Sequence, residues 1–410
     1  MSVFYGWKLS LLSMYGNFML QGTALYCMNA FMEPLCIQNG WSRMGINFSL
    51  GLAALMGQLA MPVAAAMAAR FSLRMLMAAG AVAGAISTCA MGLAGNIYIF
   101  TFFFIIVWIA TQFCGGVVAN ALMTNWFQHY RGVAFGLANS GISLSGLVLP
   151  VACLAIINHF GLFSAFCGLA VLTAIIAPLS LLLIRRKPQM LGLHPDGRRH
   201  EPRSAKSPVP SLAFRQLIRS PAIWYIGLSF GIALMSASGI VSQLKPRFSD
   251  LGINEWTAMV LAAFSAGVAT LAKFIWGWLC DRLTSITAAR SLMLSCCLSM
   301  LLLWLPPSTW TLGAFGICFS ATVGGLWVVL PALTASYFGS ANFLPAYKII
   351  TIFVLVRSLG FPIMGISHEL AGSYVLADFI FAGALAAAFI MTLCINPAKA
   401  AEIKVRKHGK

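Results

Sequence analysis

The stretch from Trp256 to Arg282, WTAMVLAAFSAGVATLAKFIWGWLCDR, carries one lysine, Lys273, within an apolar run of membrane-spanning length. A lysine at the centre of a membrane helix costs about 2.5–3.5 kcal/mol on insertion scales, so it normally faces a wet cavity or a partner. The chemistry open to such a cation is capture of an anion. Asp281 follows eight residues later and, at about 1.5 Å rise per residue, lies about 12 Å further along the axis, the distance from mid-membrane to interface. Asp281 and Arg282 are therefore either a contact holding an inward gate or a solvated pair of little energetic weight. Lys273 itself has one alternative, a long side chain reaching the inner interface beside Trp276 and Trp278.

A second cation, Arg357, lies nine residues after Lys348 and so about 13 Å past the cytoplasmic edge, a depth matching that of Lys273. It is read either as a ligand or field source for an anion or as the partner of Asp378, since intramembrane charges tend to pair. Four amides accompany the cations: Asn17 and Gln21, one turn apart, then Gln112 and Asn120. They can donate to a carboxylate or bond across helices. Trp108 and Trp327 lie at depths suited to walling a small planar anion or to packing. His129, His159 and His368 fall in or near loops and form no relay. No phosphate-binding loop, metal-ligand cluster or nucleophile arrangement occurs, so neither cofactor nor metal is expected. The 11 cysteines are scattered without a C-x-x-C and behave as small hydrophobes.

The elements that must position these residues follow from composition. Of 410 residues, 60% are hydrophobic and 9% charged, against about 25% charged in ordinary soluble domains. The chain is expected to be an all-α membrane protein. Apolar runs near 8–32, 45–69, 74–95, 97–122, 132–157 and 162–184 make six spans, and runs near 222–244, 256–279, 288–305, 310–333, 345–366 and 373–395 make six more. The first run is too long for a signal h-region and reads as a span. The basic, Pro-rich stretch between the two sets is too polar to cross. The expected organisation is an amino-terminal half at 1–184, a cytoplasmic linker at 185–221, a carboxy-terminal half at 222–396 and a basic tail at 397–410.

A net charge of +17 would suggest nucleic acid in a soluble chain. Here its distribution reports orientation instead. With the amino terminus inside, Lys8, Arg70, Arg74, Arg131, the linker cluster, Arg282, Arg290, Lys348 and the tail are cytoplasmic. Only Arg43, Lys245 and Arg247 fall outside, beside the acids Glu33, Asp250, Glu255 and Glu369. This asymmetry places both termini in the cytoplasm, with anionic lipid headgroups as secondary partners and no nucleic acid.

Two six-span halves joined by a basic linker resemble the layout of the major facilitator superfamily, in which substrate binds near the midplane between the halves. Several motifs are similar to its oxalate/formate antiporter and monocarboxylate transporter branch: Tyr5-Gly6-Trp7, Gly40-Trp41-Ser42-Arg43, Asn125-Trp126-Phe127 followed by Arg131 through Gly141, Leu330-Pro331-Ala332, Tyr337-Phe338-Gly339 and Asn342-Phe343 with Tyr347. The last three resemble that branch's loop between spans ten and eleven. The resemblance implies that a cation on span eight, followed by Gly four and Asp eight residues later, grips the substrate carboxylate, and here these are Lys273, Gly277 and Asp281. Lysine departs from the usual arginine and exchanges a fork for a point charge. Ala69 departs where the branch commonly has Asp.

The expected site thus comprises Lys273, Arg357, Asn17, Gln21, Gln112 and Trp327 for the anion, with Asp281, Arg282 and Arg131 as gating contacts. The expected activity is secondary transport of a mono- or dicarboxylate in a bacterial inner membrane. Apart from Asp378, the acids are read as lying in loops or at span ends, with Glu33 closing span one and Asp281 closing span eight. Uncompensated cations then favour exchange of anions over proton symport. Proton-coupled carboxylate symport and efflux of hydrophobic compounds are the alternatives within the fold. A membrane sensor would need a soluble domain that linker and tail are too short to hold.

Overall fold

The computed structural model describes residues 4–185, 188–191, 193–197, 212, 214–242, 252, 255–306, 308–371 and 373–396, with some side chains inside helices excepted. Lys245, Arg247, Asp250 and the tail from 397 lie outside the described residues, as do the side chains of Arg43, Glu255, His368 and Glu369. The chain divides into two compact units, Met1–Ser204 and Ala205–Lys410. Every described regular element is helical, and nine described helices are each long and apolar enough to cross a membrane. Grouped across their breaks, the helices fit twelve spans.

In the first unit, span one is a helix Tyr5–Gln21, a π turn Gly22–Tyr26 and a helix Met28–Asn39. It continues well past residue 32, so Glu33 sits inside a helix rather than closing the span. Span two is Arg43–Arg70, started by the Ser42 hydroxyl accepting the Gly45 N–H at 3.0 Å. Span three is Leu73–Gly92. Span four begins at Ile97, capped by Asn96, breaks after Cys114 and resumes as Gly116–Trp126. Gly116 takes φ +29 there, and a Cβ would meet the Gln112 amide oxygen. Span five is Arg131–Phe160, and span six pairs Leu162–Ala174 with Ile176–Leu183.

In the second unit, span seven is Pro221–Ser242, span eight Glu255–Arg282, and span nine Ser285–Leu301 with a 3₁₀ turn to Trp304. From Thr309 to Phe353 the chain is helical throughout, except at Gly339 (φ 77, ψ 166), where spans ten and eleven meet. The stretch 334–344 expected between spans ten and eleven is therefore helix with one left-handed glycine at its turn. Pro331 and Pro345 are accommodated inside, as membrane helices allow. Lys348 consequently lies within span eleven rather than at its edge. That span passes through a 3₁₀ segment, Val354–Leu359, before resuming as Gly360–Ala371. Span twelve is Val375–Leu393.

Side chains such as Phe102, Val151, Leu182 and Leu271 stand exposed along the spans. Large apolar side chains exposed along a helix of membrane-spanning length are what lipid solvates and water does not. With the membrane-length helices, they make the chain a multi-pass membrane protein.

Part of the linker is ordered against the first unit. The Asp196 carboxylate accepts the backbone N–H groups of Gln128 (3.2 Å to each oxygen), His129 (2.7 Å) and Tyr130 (3.3 Å). These amides sit just ahead of span five, where a carboxylate also meets the positive end of the helix dipole.

Candidate functional site

Span eight turns a small, buried stripe (Ala269, Lys273, Trp276, Cys280) one way and Leu271, Phe274, Ile275 and Trp278 the other. The stripe rests on span ten. Gly324 of that span lies on the Ala269 carbonyl, and Gly325 lies on the Trp276 indole, where a Cβ would come within 2.6 Å. The Trp276 Nε1–H donates to the Ala321 carbonyl at 3.0 Å. Lys273 falls between these two anchor points, held at the seam of spans eight and ten with 1% of its surface exposed. It does not reach out to the inner interface, and Trp276 is an interior residue rather than an interfacial one.

Arg357 sits in the 3₁₀ segment of span eleven. Its guanidinium carbon is 5.6 Å from the centroid of the Trp327 ring, a cation–π contact. Trp327 and Gly324 are three residues apart, about 4.5 Å along the helix axis. One turn of span ten thus carries both the glycine pair on which Ala269 and Trp276, the residues flanking Lys273, are packed and the tryptophan that Arg357 contacts. Asp378 is buried in the first turn of span twelve.

The amides of the first unit do different work. Asn17 donates from Nδ2 to the Ala138 carbonyl at 2.8 Å and accepts the Gly116 N–H on Oδ1 at 3.0 Å, tying span one to span five and to the broken span four. Gln112 is buried at that break and donates to Thr111 Oγ1 at 3.0 Å. Asn120 accepts from Asn139 Nδ2 at 3.2 Å. For Asn17 and Asn120 this is bonding between helices, the second of the roles their residue type allows. Gln21 is half-buried, the last residue before the π turn, and makes no hydrogen bond to the described residues. Trp108 is buried, and its indole N–H has no partner among the described residues.

At the expected gate, Arg131 donates from Nε to the Phe127 carbonyl (3.0 Å) and from a terminal nitrogen to that of Thr124 (3.3 Å), capping the carboxy-terminal end of span four. Arg282 is exposed and lies over the Trp278 ring at 5.7 Å, while Asp281 is half-buried. Among the described residues no group of three or more His, Cys, Asp or Glu could hold a metal ion.

Sequence reasoning passed over Gly324, Gly325, Ser238 and Asp196. Adjacent glycines in mid-span were the available signal for the first two, because paired small residues let helices approach closely. Nothing in the sequence singles out Ser238, whose importance depends on the 3₁₀ segment opposite.

A sequence model described as the Major Facilitator Superfamily matches residues 9–365. The uncharacterized transporter ESBP6 of Saccharomyces cerevisiae is 24% identical over 293 residues, covering 68% of this chain and 42% of the relative. The probable transporter MCH2 of the same yeast is 22% identical over 67% of this chain and 56% of its own length. The uncharacterized MFS-type transporter YcxA of Bacillus subtilis is 26% identical over 55% of this chain and 52% of its own length. The chain thus spans about half the length of the curated relatives it matches. Among solved structures, the proton:xylose symporter XylE superposes with a TM-score of 0.76 at 15% identity, covering 96% of each chain. The human organic anion transporter MFSD10 superposes at 0.74 and 13% identity, covering 95% of this chain and all of the other. Likeness at these identities is likeness of fold.

Proposed function

The chain belongs to the major facilitator superfamily of membrane transporters, and from that premise we propose that it moves a small organic anion, a mono- or dicarboxylate, by alternating access and in exchange for a second anion. The observation that carries this reading is the pair of cations packed about one turn of span ten. Lys273 is fully buried, and Arg357 is held on an aromatic face. Buried charge is costly and is kept where it serves function, and the function two cations serve best is stabilising a bound carboxylate. Arg357 supplies the planar fork that recognises a carboxylate, and Lys273 supplies a compact point charge. Anion exchange is the mode that suits these charges, because a bound anion offsets the positive charge that Lys273 and Arg357 bring to the site and lowers the cost of reorienting it. Asp281, Arg282 and Arg131 stay in this reading as inner-side gate contacts, and Gln21 remains as a polar group next to the π turn. The charge asymmetry favours an orientation with both termini cytoplasmic.

The fold is shared by a sugar symporter and an organic anion transporter, so the substrate is argued from side chains alone. The test is uptake into proteoliposomes of a labelled panel: oxalate, formate, lactate, a neutral sugar and a hydrophobic cation. Saturable uptake restricted to the carboxylates is the expected result. Uptake of the sugar or the cation with no carboxylate transport refutes it.

A further inference from the structure

Span seven is cut away where it faces the 3₁₀ segment of span eleven. Gly227 lies on the Phe353 ring, Gly231 on the Phe353 carbonyl, and Gly239 and Gly360 lie against each other's backbone. Within this cradle Ser238 Oγ lies 2.7 Å from the Arg357 carbonyl and 3.0 Å from its own helix's Met235 carbonyl. The Gly360 N–H also donates to the Arg357 carbonyl, in the short 3₁₀ pattern. Ser238 thus satisfies a carbonyl in the form the segment adopts here. One residue past Arg357, the Ser358 hydroxyl oxygen is buried with no hydrogen-bond partner among the described residues. A buried hydroxyl without a partner needs an explanation. In an α-helical register that hydroxyl can bond back to the Val354 carbonyl four residues earlier, as serine does inside helices.

We propose that Ser238 is a positioning residue for Arg357, holding Val354–Leu359 as one state of a two-state segment whose conversion to α-helix turns the guanidinium off Trp327. A 3₁₀ helix advances about 2.0 Å and 120° per residue, and an α-helix about 1.5 Å and 100°. Conversion of the six residues shortens the span by about 3 Å, and Arg357, the fourth of them, swings by about 80°. Ser238 favours the 3₁₀ form and Ser358 the α form. Mid-helix 3₁₀ stretches are known as hinges. The consequence for transport rests on the reading of Arg357 as an anion contact; the two-state behaviour does not.

The test is hydrogen exchange of the backbone amides between Phe353 and Phe361 in the full chain, reconstituted in nanodiscs. 3₁₀ hydrogen bonds are the poorer ones, so Ser238→Ala should slow exchange by about twofold to tenfold, the weight of one hydrogen bond. Ser358→Ala, which leaves span seven untouched, should quicken it, and the double variant should lose the slowing. A Ser238 that only packs predicts the opposite sign, because its loss would loosen the segment and speed exchange. Faster or unchanged exchange in Ser238→Ala, or slower or unchanged exchange in Ser358→Ala, overturns the proposal. Oxalate uptake by Arg357→Gln is measured separately. Normal uptake there removes the anion role of Arg357 and leaves the exchange result standing.

Discussion

Replacing Lys273 by glutamine removes the charge while keeping a polar side chain of similar shape at the buried seam of spans eight and ten. Truncating one partner of a buried, hydrogen-bonded charge pair costs about 2–5 kcal/mol. Taking about 3 kcal/mol for the lost contact to substrate carboxylate gives about a 150-fold fall in kcat/KM for uptake. The fold should respond differently. A buried lysine exchanged for a neutral side chain of similar shape tends to be neutral or stabilising, unless it leaves an opposite charge stranded, which costs about 3–5 kcal/mol. The assay is initial-rate uptake of labelled oxalate and formate into proteoliposomes, alongside thermal unfolding of the same preparation. The expected result is uptake lost by about two orders of magnitude in a variant that still inserts and folds. Near-normal uptake refutes the reasoning, and so does loss of uptake that tracks a collapse of thermal stability. Lys273→Arg should keep transport and alter the preference among carboxylates, because a fork replaces a point charge.

Three further outcomes follow from single contacts. If Arg357 serves the anion, Arg357→Leu with Asp378→Leu will be well folded and transport-defective; recovery of uptake in the double variant would instead mark a structural pair. Asp196→Ala strips the acceptor from three consecutive amides and should lower thermal stability by about 1–3 kcal/mol while leaving carboxylate preference unchanged, read by unfolding and by the uptake panel. Cys89 and Cys167, on spans three and six with sulfurs 3.8 Å apart, should crosslink under a membrane-permeant oxidant; absence of a crosslink, by mass spectrometry after digestion, would contradict the packing of those spans.

What the sequence made legible is what lipid dictates. The spans are apolar because any backbone crossing lipid must satisfy its hydrogen bonds internally, and Lys273 and Arg357 stand out because charge is rare there. The breaks were not legible, since α, π and 3₁₀ turns share one composition. Nothing in Gly22–Tyr26 or Val354–Leu359 marks a change of hydrogen-bond register. Gly115-Gly116 was visible as a pair, but not the role of Asn17 in bridging it. The gap expected at 334–344 is filled by helix, because a single left-handed Gly339 suffices to turn the chain. Glu33 misled for a related reason: a polar residue beside Pro34 reads as an end, yet the helix continues to Asn39.

The claim that both cations need a bound anion before the empty transporter can reorient is tested most directly by one comparison. Proteoliposomes are prepared with and without internal oxalate, an inward proton gradient is imposed, and entry of labelled oxalate is followed. The account predicts uptake only in the preloaded vesicles, insensitive to the gradient. Robust concentrative uptake into empty vesicles, driven by the gradient and indifferent to preloading, would contradict it.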